Sequence, residues 1–112
     1  MILHIVLYQP KASATAKDLT ELVEVLQTAA REIPSVLQVR VGRTEDLGFG
    51  YQNWPKDRNT GNVAVFEFAD RSGLERYLAH PAHRRLADLF WKTSDEPLVF
   101  DVVSIDPVTE SV

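Results

Sequence analysis

Three histidines are the only side chains in this 112-residue chain whose ordinary titration falls near neutral pH. Two of them, His80 and His83, stand on either side of a proline in the run Tyr77-Leu78-Ala79-His80-Pro81-Ala82-His83. The third, His4, lies close to the N-terminus. A histidine beside a tyrosine suits proton chemistry next to a carbonyl. The imidazole can remove the proton, and the phenol can donate to the oxygen that gains charge. His83 lies six residues beyond Tyr77, off the three- or four-residue spacing that shares one helical face. The pair meets only if the chain turns between them, and Pro81 supplies the break. His83, Tyr77 and His4 are therefore the candidate catalytic residues. Val6, Tyr8 and His80 are the candidate ligand contacts. The plainer reading is that His80 caps a helix, Tyr77 is a core aromatic, and His83 and His4 are satisfied by neighbouring backbone.

Other chemistries find less support. His80 and His83 with Asp88 or Asp101 have chelating types, but a proline intervenes and no second close pair exists, so no metal is expected. No glycine-rich turn marks a phosphate-bearing cofactor, and none is expected. Ser72, Ser94 and Ser104 read as cap and surface residues. The absence of cysteine excludes disulfides and thiolate chemistry.

The elements that must position these residues follow from periodicity. Residues 2–8 alternate as a strand, with Leu3, Ile5 and Leu7 on one face and His4, Val6 and Tyr8 on the other. Ser13 or Thr15 can cap a helix over about 15–32, with Asp18 three residues past Thr15. Leu19, Leu22, Val23, Leu26, Ala29, Ala30 and Ile33 form its apolar stripe, and Pro34 ends it. Strands are expected at 36–43, 62–68 and 98–105. In the first of these Leu37, Val39 and Val41 share a face, while Gln38 and Arg40 meet something polar. Asp70 or Ser72 can cap a short helix bearing Leu74, Tyr77 and Leu78. Pro81 starts a second over 81–93, with His80 at its cap and Leu86, Leu89 and Phe90 inward. Residues 44–61, with Phe49, Tyr51 and Trp54, form a long loop of the kind that is functional or mobile, although the plainer reading is that its aromatics cover a barrel mouth or a subunit seam.

The order βαββ(αα)β is the α+β, ferredoxin-like arrangement: helices on one face of a four-stranded antiparallel sheet. One domain is expected over 1–106, with 107–112 as a C-terminal tail. The face without helices, assigned here Val6, Tyr8 and other bulky groups, needs a cover. A second subunit would supply it, which predicts a homodimer. A net charge of −4 argues against binding phosphate backbones, so no nucleic acid is expected. No apolar run approaches a membrane span and no leader is legible. A soluble cytoplasmic protein is therefore expected.

Taken together, His4-Ile5-Val6-Leu7-Tyr8, Ile33-Pro34-Ser35-Val36, Val41-Gly42-Arg43, Phe66-Glu67-Phe68-Ala69-Asp70, the Tyr77–His83 run and Phe100-Asp101-Val102 fall in order along nearly the whole chain. In this pattern the chain resembles the stress-responsive A/B-barrel domains, which are dimeric α/β barrels. The resemblance implies two ferredoxin-like subunits whose sheets meet as a barrel, most members having no assigned reaction. In a plant polyketide cyclase of similar layout, which closes a ring without a cofactor, the catalytic tyrosine and histidine match Tyr77 and His83. Another pocket histidine matches His4, and a further one falls at Asn62 here. The resemblance thus implies a pocket for a small apolar or aromatic molecule. The alternatives are a cyclase or lyase using the His/Tyr pair and a non-catalytic, stress-related structural dimer.

Overall fold

The computed structural model describes residues 1–45, 47–51 and 61–105. Four strands and three helices follow one another as β1 (Ile2–Tyr8), α1 (Ala16–Glu32), β2 (Gln38–Arg43), β3 (Asn62–Phe68), α2 (Arg71–Ala79), α3 (Pro81–Thr93) and β4 (Leu98–Val103). The strands form one antiparallel sheet in the order β2-β3-β1-β4. This is the ferredoxin-like α+β fold expected from the element order. Strands β2 and β4 are shorter than their apolar runs suggest.

Each helix starts where the sequence offers a cap. The Thr15 hydroxyl accepts from the Asp18 amide at 3.1 Å, and the Asp18 carboxylate accepts from the Thr15 amide at 3.0 Å. This reciprocal pair satisfies two amides that the first turn of α1 leaves open. Asp70 accepts from the Gly73 amide at 2.9 Å and starts α2. His80 does two jobs. Its amide donates to the Tyr77 carbonyl and closes α2, while its Nδ1 accepts from the Ala82 amide at 3.0 Å and opens α3. Preceding a proline, it is held in the extended conformation that separates two helices.

All three helices pack on one face of the sheet, and register decides what they cover. His4, Val6 and Tyr8 of β1 alternate with Leu3, Ile5 and Leu7, and the first set is buried under the helices with Ala64, Phe66 and Phe68 of β3. This corrects the assignment of Val6 and Tyr8 to the uncovered face. That face instead carries Leu3, Ile5 and Leu7 with Phe100 and Val102, their partners across the β1–β4 ladder. Phe100 is half exposed. Arg40 and Gln38 share that face beside Val65 and Glu67, so its polar part is confined to the β2 edge.

The buried stripe of α1 is narrower than its apolar pattern: Leu22, Leu26, Ala29 and Ile33 are buried, whereas Leu19 and Val23 are exposed. Leu37 and Val41 are likewise exposed at the β2 edge, with only Val39 packed on the core. The segment after β2 leaves and returns at one point, where the Thr44 amide donates to the Gly61 carbonyl at 2.9 Å. Phe49 and Tyr51 stack on each other in it, both exposed. Trp54 and the tail 107–112 lie outside the described residues.

Candidate functional site

A cavity of about 280 Å³ lies between the sheet and the α2–α3 junction. His4, Val6, Phe66 and Val99 form its sheet wall, and Tyr77, Leu78, His83, Leu86, Phe90 and Trp91 its helical wall. It is apolar except where three side chains converge: His4, Tyr77 and His83.

The Tyr77 ring is the hub. Its centroid lies 4.6 Å from that of His83, edge-on, and 5.8 Å from that of His4. Phe66 and Phe68 close its other sides at 5.1 and 5.2 Å. The six-residue gap between Tyr77 and His83 is spanned because the extended residue His80 lets α3 set off in a new direction. Burial holds the Tyr77 phenol far above its ordinary range, so it is a neutral hydroxyl at any physiological pH. His83 is held below its ordinary value of 6.5, first by burial and then by the neighbouring His4. A hydrogen bond to the Leu78 backbone pulls the other way. A neutral imidazole beside a neutral phenol is a base and a donor within one small volume.

His4 is buried and its Nδ1 lies 2.6 Å from an Asp101 carboxylate oxygen. The contact is a consequence of strand pairing, since His4 and Asp101 are direct partners across the ladder. Asp101 is the one acid in the β4 run LVFDVV. The signal was legible as a lone charge in an apolar strand, on the parity that faces the helices. It goes unread without the β1–β4 register.

The remaining candidates fall elsewhere. Val6 lines the cavity. Tyr8 is buried beyond it, edge-on to Phe90 at 4.9 Å, with its phenol raised by burial. His80 is spent as the cap of α3 and does not line the cavity. Neither lines this cavity: Tyr8 is one same-face step beyond Val6 on β1, and His80 turns back to its own helix start. Asn62 pairs with Tyr8 at the far end of β3, four residues from the position opposite His4. The exposed apolar residues Leu78, Trp91 and Val99 surround the cavity mouth, which composition alone did not reveal. Among the described residues no group of three acidic, histidine or cysteine side chains is placed to hold a metal ion. No helix among them is long and apolar enough to cross a membrane.

A four-stranded ferredoxin-like sheet with a ligand-sized cavity under its helices defines the class: an α/β-barrel subunit. The family follows from the sequence. The model of the stress responsive A/B barrel domain matches residues 2–104, and the chain belongs to that family. No curated protein sequence matches it significantly. Solved structures do. A protein from Arabidopsis thaliana superposes with a TM-score of 0.76 at 20% identity, covering 95% of this chain and 97% of its own. A dimeric ferredoxin-like protein of unknown function from Jannaschia sp. does so at 0.75 and 21% identity, over 92% and 98%. The hydroxynitrile lyase from Passiflora edulis reaches 0.78 at 14% identity, over 94% of each chain.

Proposed function

We propose that this protein binds a small apolar or aromatic molecule in the cavity beneath α2 and α3, as a homodimer whose uncovered sheet faces meet. The observation that carries the reading is the cavity itself: an apolar, open-mouthed cleft on which one phenol and two imidazoles converge. That is the composition of a ligand site, with apolar walls for affinity and a few polar groups for orientation. The exposed Trp91 at the mouth provides the probe. In a Trp54→Phe background, titration with 1-naphthol is expected to change Trp91 emission saturably. Native mass spectrometry of the purified protein is expected to retain a small molecule. Absence of both signals overturns the reading.

A second reading is favoured by one contact. The Tyr77–His83 pair, with His83 held neutral, supports cofactor-independent proton transfer at a carbon beside a carbonyl, with His83 as base, Tyr77 as oxyanion donor and His4 assisting. The hydroxynitrile lyase of the same fold supports the view that such a scaffold can carry lyase chemistry. Consumption of a linear aromatic polyketide thioester, abolished in His83→Ala and retained in the surface variant Glu24→Ala, is the expected outcome. Equal turnover in His83→Ala sinks it.

A further inference from the structure

We infer that Asp101 is a positioning residue that fixes His4 with its proton on Nδ1, so that His4 offers Nε2 to the cavity as an acceptor and the site selects ligands bearing a hydroxyl donor. The inference rests on the ligand-pocket reading above and names the class of ligand it takes.

Geometry carries the first half. A carboxylate can only accept a hydrogen bond, and Asp101 lies 2.6 Å from His4 Nδ1. At that distance Nδ1 must be the protonated nitrogen. Which nitrogen of a neutral imidazole carries the proton is set by the bond the other makes. Free imidazole side chains favour the opposite tautomer, so the carboxylate imposes an uncommon state. The register enforces it, because His4 and Asp101 are cross-strand partners on the helix-facing side. The pairing of β1 with β4 sets the two side chains next to each other.

The second half follows from what surrounds His4. The neighbours that face it are Phe66 from β3, Tyr77 from α2, Asp101 from β4, and His83 from α3. Nδ1 is committed to Asp101, so Nε2 is the polar atom His4 has left for the cavity it lines. Beside His4 the cavity therefore presents one acceptor and one phenol. A phenol or enol can donate to an imidazole and accept from Tyr77 through one oxygen. An ether of the same size has nothing to donate and leaves a buried acceptor unpaired, which is the costly outcome.

Two measurements test this. In uniformly 15N-labelled wild-type protein above neutral pH, long-range 1H–15N correlation is expected to show His4 protonated on Nδ1. The three histidines are separable by single substitution. Asp101 is half exposed on an edge strand, so Asp101→Asn is expected to fold and to return His4 to the Nε2-protonated form. Binding of 1-naphthol and of 1-methoxynaphthalene, followed by Trp91 emission, reads the consequence. Wild type is expected to prefer the naphthol by about tenfold, the upper range of one hydrogen bond. Asp101→Asn is expected to lose that preference while still binding the ether. An Nε2-protonated His4 in wild type overturns the inference without recourse to any variant. So does an unchanged tautomer, or an unchanged preference, in Asp101→Asn. Failure of both compounds to bind wild type overturns the pocket reading and the ligand class with it, while the tautomer result still decides the role of Asp101.

Discussion

His83 is the residue whose chemistry is set most by its surroundings. Half-buried against Tyr77 and near His4, it resists taking up a proton in the folded chain. The unfolded chain binds that proton at the ordinary value of 6.5, and the folded chain only at lower pH. Between the two, the unfolded state holds more protons, so stability rises with pH. The His83 contribution is therefore complete above pH 6.5 and is lost as pH falls through the folded value. We expect thermal melting recorded across this acidic window to show a slope that flattens in His83→Gln. An equal slope in the variant places the effect on another group. Tyr77 behaves differently: burial raises its phenol out of reach, so it contributes no pH dependence near neutrality and serves as a constant donor.

At the scale of elements, the junction of α2 and α3 positions the site. A histidine is an uncommon cap, yet Nδ1 of His80 accepts from the Ala82 amide as a serine or aspartate oxygen would. Its removal should act on the helix and not on the cavity. His80→Ala is expected to lower stability by about 1 kcal/mol, with His80→Asp restoring most of it. Denaturant unfolding reads the first effect. Unchanged 1-naphthol affinity distinguishes a cap from a ligand contact, and a large loss of affinity in His80→Ala would return His80 to the site. The helix stripe shows the limit of periodicity. Leu19 and Val23 continue the apolar pattern of α1 yet stay exposed, while the line from Leu22 to Ile33 is buried.

For the whole molecule, the uncovered sheet face is the main unsettled surface of the chain. Leu3, Ile5, Leu7, Phe100 and Val102 line it, and apolar surface of this continuity is unfavourable in water. A second copy placing the same face against it removes the exposure with one two-fold axis. Sedimentation is expected to give twice the single-chain mass for the wild type and the single-chain mass for Phe100→Glu, which buries a charge in that contact. A wild-type protein at single-chain mass at micromolar concentration excludes the paired barrel.

Much of this was legible from residue order. Alternation in 2–8 and 62–68, caps at Thr15 and Asp70, and the proline breaks at 34 and 81 fix the elements and their sequence, because they are local properties of backbone and solvent contact. The run from Tyr77 to His83 also announced the break that brings its ends together. What stayed hidden was which face of β1 the helices would take, since both faces are apolar and alternation alone cannot orient them. The partnership of His4 with Asp101 was hidden too. It joins residues 97 positions apart through a register that only the assembled sheet defines. The sequence by itself determined the elements, their order and the three side chains fit for proton chemistry. Tertiary structure decided which of them share a cavity, because cross-strand pairing and the turn at His80 act over distances that no local pattern encodes.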